Sequence, residues 1–159
     1  MERRKFINNL SIAGVGILGA NNIYANTFFN KNIFKLKYAP HIGMFSNSAG
    51  KDPIDQLNFM ADQGFTAFED NGMKNRSVLV QGQMASVMEK RNIKMGVFVA
   101  HEIYWKNPNL ASGDIDLRNE FLQHIKESIE VAKRVNTKWM TVVPGFVDLR
   151  QNISYQTAH

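Results

Sequence analysis

The chain of 159 residues contains no cysteine. Disulfides, thiolate metal sites and cysteine nucleophiles are therefore excluded, and the absence fits an oxidising compartment as well as a reducing one. No Gly-x-Gly-x-x-Gly follows the first apolar segment and there is no P-loop, so nucleotide and dinucleotide folds are disfavoured. Beyond residue 25 no block of Lys and Arg occurs, nor any interleaving of basic and aromatic residues. The formal charge is +5, but Arg3, Arg4 and Lys5 against Glu2 account for two of those charges, leaving three scattered over the remainder. Nucleic-acid binding needs a concentrated basic face and is not expected. The apolar stretch at residues 10–20 is too short to span a bilayer. What remains is ordinary for a globular protein: 44% hydrophobic and 21% charged residues, at a length that suits one domain.

Two parts of the chain read differently. In the first, Glu2-Arg3-Arg4-Lys5-Phe6-Ile7-Asn8 resembles the twin-arginine export motif, and a mildly apolar stretch with Gly14, Gly16 and Gly19 follows it. Ala25 is a plausible cleavage residue, although Ile23 is larger than the small residue usual three positions before a cut. Residues 1–25 are expected to be an export signal, residues 26–33 a linker, and the mature protein periplasmic or extracytoplasmic. It would then keep no stable membrane anchor. The alternative is an amphipathic or irregular N-terminal arm.

The second part, residues 34–159, repeats one grammar. Apolar runs at 34–39, 65–68, 94–100 and 139–143 each end in polar or chain-breaking residues: Pro40-His41, Glu69-Asp70-Asn71-Gly72, His101-Glu102 and Pro144-Gly145. Helical signals separate them. Asp52-Pro53 supplies an N-cap and first helical residue, with Ile54, Leu57, Met60 and Ala61 as the buried stripe and Gly64 as a left-handed terminator. Ser77 caps a second helix running to about Arg91, with Val80, Met84, Val87 and Met88 inward and Asn92 after it. Asp114 opens the strongest helix, whose stripe is Leu117, Phe121, Ile125, Ile129, Ala132 and Val135. Residues 146–159 show no complete helix. Strands spaced about 30 residues apart with helices between them predict an α/β fold with βαβ crossovers. Four such strands, three intervening helices and no nucleotide motif read as the N-terminal half of a TIM (β/α)8 barrel. A complete barrel needs roughly 200–250 residues, so the chain is expected to be a fragment or truncated product. Half a barrel leaves its first and fourth strands as open edges, so a homo-oligomer is a possible form.

The segments Leu36-Lys37-Tyr38-Ala39-Pro40-His41, Phe65-Thr66-Ala67-Phe68-Glu69-Asp70-Asn71-Gly72-Met73, Met95-Gly96-Val97-Phe98-Val99-Ala100-His101 and Trp139-Met140-Thr141-Val142-Val143-Pro144-Gly145 resemble the sugar phosphate isomerase/epimerase superfamily of xylose isomerase-like TIM barrels. Within it, they are most similar to the hydroxypyruvate isomerase-like group. The resemblance covers residues 36–145. It implies carbohydrate metabolism by an aldose-ketose type isomerase acting through an enediol, here converting hydroxypyruvate to tartronate semialdehyde. A divalent metal such as Mg or Mn is implied for the full-length form. The family's glutamates and metal ligands come mainly from strands five to eight, so the resemblance assigns no catalytic residue and no metal ligand to this chain. A related sugar epimerase or dehydratase, or a non-catalytic periplasmic carbohydrate-binding remnant, are the competing readings.

The candidates for a small hydroxy-carbonyl or sugar pocket sit at the strand ends. His101 could orient a substrate hydroxyl or shuttle a proton, or could simply bond a loop carbonyl. Glu69 beside Asp70 could contact substrate or metal, or the cluster could shape the turn before Gly72. His41 faces the same choice between substrate and packing. Tyr104 and Trp105 could wall a sugar site or cover the top of the core. His41, Glu69 and His101 have the composition of a three-ligand metal site, but no local spacing signature. His124, one residue from the stripe of the third helix, reads as surface structure.

Overall fold

A computed structural model describes residues 34–158. The expected export signal (1–25) and linker (26–33) lie outside the described residues. Within them the fold is mixed α/β: five helices around a short parallel sheet. In chain order the helices are α1 (Ser46–Ala49), α2 (Pro53–Asp62), α3 (Val78–Arg91), α4 (Ile115–Arg134) and α5 (Ile153–Thr157). The strands are β1 (Ala67–Phe68), between α2 and α3, and β2 (Lys94–Met95), between α3 and α4.

The three long helices start and stop by the same local chemistry. Asp52 accepts the Ile54 N–H at 2.7 Å ahead of Pro53, Ser77 accepts the Val80 N–H, and Asp114 accepts those of Asp116 and Leu117. Each cap satisfies donors that the first helical turn leaves open. At the far ends, Gly64, Asn92 and Asn136 all take positive φ. Phe65, Ile93 and Thr137 then donate their N–H groups at 3.0 Å to the carbonyls of Met60, Met88 and Ala132, five residues back. This closure turns the chain sharply off each helix and into the next extended segment.

Those extended segments lie side by side in chain order, all parallel. Ala67 pairs with Lys94 and Phe68 with Met95. On one side of this ladder, His41 bridges Glu69; on the other, Val99 bridges Thr141. The ladder is much shorter than the apolar runs suggest. Residues 34–39 form no strand. Their aromatic rings pack instead, Phe34 stacking on Phe65 at 4.6 Å with Tyr38 edge-on at 5.6 Å, and pairing begins only at Pro40 and His41. In the third run, hydrogen bonding weakens after Gly96, where the Asp70 N–H reaches the Val97 carbonyl at 3.4 Å, and tightens again at Phe98 and Ala100. In the fourth run, among the described residues, only Thr141 is bridged, and Trp139 is 72% exposed.

The core fills the space between sheet and helices. Leu57, Met60, Phe68, Met84 and Phe98 are fully buried, each worth roughly 1.5–3 kcal/mol over an exposed side chain. The stripes of α2 and α3 face inward as their periodicity predicts. That of α4 does so in part: Leu117, Phe121, Ile125 and Ala132 are half-buried and Val135, just past the helix, is fully buried, whereas Ile129 is exposed and Ser128 and Val131 are the helix's buried residues. The Ser128 hydroxyl donates to the Ala100 carbonyl at 2.5 Å, which turns this polar residue, rather than Ile129, onto the sheet.

Polar side chains bind the helices together. Buried Gln81 on α3 donates to the Met73 and Arg76 carbonyls at 3.1 and 2.9 Å and accepts from Arg134 of α4. Lys74 donates to the carbonyls of Ala100 and His124 and pairs with Glu127. Helix α5, which periodicity does not predict, is held the same way. Asn152 caps it, and the Gln156 amide exchanges hydrogen bonds with the backbone of Asp148 at 2.6 and 2.9 Å.

Candidate functional site

The parallel arrangement puts the C-terminal ends of the extended segments at one rim, where the chain leaves the sheet at His41, Glu69, His101 and Val143. In parallel α/β folds this is the end at which loops converge on a ligand. Bridge pairing sets His41 directly beside Glu69. The half-buried Glu69 side chain crosses the neighbouring segment at Gly96, where a β-carbon would lie 3.3 Å from Glu69 Cγ. Among the described residues its carboxylate has no hydrogen bond or ion pair.

Both histidines are fully engaged. His41 Nδ1 lies 2.5 Å from the Ile42 carbonyl, and its Nε2 takes the Asn71 N–H at 3.0 Å. His101 is buried, with Nδ1 2.7 Å from the Glu102 carbonyl and Nε2 taking the Val143 N–H at 2.9 Å. The ring of Phe121 on α4 meets the His101 ring edge-on at 4.8 Å. No ring nitrogen is left to take a proton from a substrate or to ligate a metal.

The other rim residues divide clearly. Asp70 shapes the turn: its buried carboxylate accepts the Gly72 N–H and pairs with Arg76 at 2.5 Å. Tyr104 and Trp105 do not form a shared wall. The Tyr104 hydroxyl donates to Glu120 on α4 at 2.8 Å, while Trp105 is 70% exposed. That hydrogen bond, then burial, then the Glu120 charge push the phenol above its usual range, because the phenolate would face a carboxylate.

Two features of the rim carry no motif in the sequence. Asn109 is buried, and its Oδ1 has no partner. This oxygen lies where a β-carbon on Gly145 would come within 2.2 Å, and Gly145 adopts φ +92°. Asp148, also buried, accepts the Arg150 backbone N–H and side chain and the Gln151 amide. The Arg150 hydrogen bonds, side chain first and backbone second, pull its carboxyl down to about 2 against the opposing cost of burial. A signal for this cluster exists only in hindsight, as an acid two residues before an arginine.

At the opposite end of the sheet, an open cleft of 920 Å³ is lined by residues that include Glu89, Lys94, Arg134, Lys138 and Trp139. It lies at the C-terminal ends of α3 and α4. Basic residues there complement the helix dipoles and need no ligand to account for them.

No family model matches the chain, and no curated protein matches it. Among the described residues no group of three His, Asp or Glu side chains could hold a metal ion, and the imidazoles of His41 and His101 spend both nitrogens on the backbone.

Proposed function

We propose that residues 34–158 form the N-terminal half of a TIM-type barrel and that its rim receives a small hydroxy-carbonyl compound or sugar. The reaction class we favour is isomerisation of the hydroxypyruvate type. The observation that carries this reading is Glu69. It is the one half-buried carboxylate of the rim with no partner, and it stands between two histidine-anchored strand ends. The parallel segments in chain order, joined by helices, support the barrel half.

The chemistry is an internal rearrangement that needs no external oxidant. A base removes a proton from the hydroxymethyl carbon of hydroxypyruvate, and the adjacent carbonyl oxygen becomes an enediolate oxygen. Return of a proton to the former carbonyl carbon, with transfer of the terminal hydroxyl proton to the enediolate oxygen, leaves an aldehyde beside a hydroxyl group. Such a step calls for a carboxylate close to both carbons and for donors to the developing oxyanion. We assign Glu69 to contact with the hydroxy-carbonyl end of the substrate, and no step is routed through a metal. The segment at residues 1–25 supports export to the periplasm.

Deuterium incorporation at the hydroxymethyl carbon in D2O, followed by proton NMR with and without Mn2+ and chelator, tests this function. Exchange that falls by about tenfold or more in Glu69→Gln supports it, a loss of the size expected when a charged hydrogen-bonding partner is removed. Binding of hydroxypyruvate without exchange would favour the carbohydrate-binding reading, for which the exposed Trp105 offers a stacking surface. Absence of both would overturn both readings.

A further inference from the structure

His41 and His101 stand sixty residues apart and at the ends of different extended segments, yet they make the same pair of bonds. In each case the first ring nitrogen faces the carbonyl of the next residue. The second faces a backbone N–H from the segment that pairs next in the sheet: Asn71 for His41, Val143 for His101. A backbone N–H can only donate, so each Nε2 must present its lone pair. The ring proton then sits on Nδ1, where it meets a carbonyl at 2.5 or 2.7 Å. Both rings thereby take the same tautomer.

We infer that His41 and His101 are a matched pair of positioning residues, each stapling one strand end to the loop that follows its neighbour. His41 holds the turn carrying Asp70, Asn71 and Gly72 against the first strand end. His101 holds the chain entering Pro144 and Gly145 against the third. Asn71 extends the first staple, since its own carbonyl accepts the Val99 N–H at 3.4 Å. The local sequences differ, Pro40-His41-Ile42 against Ala100-His101-Glu102, so the shared feature is the hydrogen-bonding task rather than a motif. This goes beyond the proposed reaction. Whatever the rim takes, its two strand-end imidazoles serve the backbone and are withheld from proton transfer and metal ligation.

The test is an imidazole nitrogen–proton correlation spectrum of the full chain labelled with 15N at histidine. Two of the four histidines should show the Nδ1–H tautomer with an unprotonated, hydrogen-bonded Nε2, assigned by loss of each signal in His41→Gln and His101→Gln. Addition of Zn2+ should leave both signals in place. A variant pair then reads the staple directly. His101→Leu should speed hydrogen exchange at the Val143 amide by about tenfold, the worth of one net hydrogen bond. His101→Gln, which keeps an acceptor near the Nε2 position, should restore much of the protection. An Nε2–H tautomer at either residue, or transfer of either Nε2 to zinc, would overturn the inference. The wild-type spectrum decides the matter even if the leucine variant fails to fold.

Discussion

Gly145→Ala gives a sharp test of how the rim is packed. The substitution adds one carbon, and the geometry supplies two separate penalties for it. The first is conformational: φ is +92° at this position, a region that costs an L-residue roughly 1–2 kcal/mol. The second is steric: the new carbon would sit 2.2 Å from Asn109 Oδ1, and Asn109 is buried with little room to withdraw. Overpacking of this kind costs about 1–3 kcal/mol. The sum, about 2–5 kcal/mol, is a large share of the stability of a small domain. Urea unfolding should show a lowered midpoint with an unchanged slope. The two penalties separate in a double-mutant cycle. With Asn109→Ala already present the clash is gone, and Gly145→Ala should cost only the conformational part, leaving a coupling of about 1–3 kcal/mol. An equal cost in both backgrounds, or a total below about 0.5 kcal/mol, would refute the packing described for this rim.

Other outcomes follow from the same contacts. Gln81→Ala should cost about 3 kcal/mol in urea unfolding, because it leaves the Met73 and Arg76 carbonyls and the Arg134 guanidinium without their buried partner. Asp114→Ala should cost about 1 kcal/mol through loss of the α4 cap, read by the same assay. Asp148 carries a carboxyl lowered in the folded state, so its contribution is complete above the ordinary carboxylate value and is lost as pH falls toward about 2. Amide exchange in α5 should therefore accelerate between pH 4 and pH 2 in the wild type and should already be fast, without that pH step, in Asp148→Asn. Ultraviolet titration of the phenols should find Tyr104 ionising late, and Glu120→Gln should bring it back toward the others.

Much of the fold was legible because helix punctuation is local chemistry. Asp52-Pro53, Ser77 and Asp114 announce their helices, and Gly64 and Asn92 end theirs through left-handed geometry that few other residues accept. Asn136 does the same for α4 and was missed, since a residue between Val135 and Thr137 carries no periodic cue. Strand lengths were overestimated, because apolarity marks where a chain wants cover and not where a partner backbone is in reach. Residues 34–39 stay exposed, with Phe34 stacked on Phe65 and Tyr38 edge-on to Phe34. One position of the α4 stripe departs from its periodicity: Ser128, bonded to the Ala100 carbonyl, is buried where Ile129 beside it is exposed. Helix α5 rests on the side chains of Asn152 and Gln156, which leave no hydrophobic period to detect.

The site was legible as positions, not as roles. His41, Glu69 and His101 do sit at one rim, as their place after apolar runs implied. Their tasks depend on which atoms face them. Backbone amides claim both histidines, a guanidinium claims Asp70, and Glu120 claims Tyr104. The half-buried carboxylate of Glu69 is left open, and residue type alone does not sort it from its neighbours.

The proposed function requires that this rim, and not the cleft at the other end of the sheet, meets the small molecule. Amide chemical-shift mapping during titration with hydroxypyruvate tests that most directly. Shifts are expected at Glu69, Asn71 and Gly96 that vanish in Glu69→Gln, with residues 89–95 and 134–139 unmoved. Shifts confined to Lys94, Lys138 and Trp139, indifferent to Glu69, would contradict it.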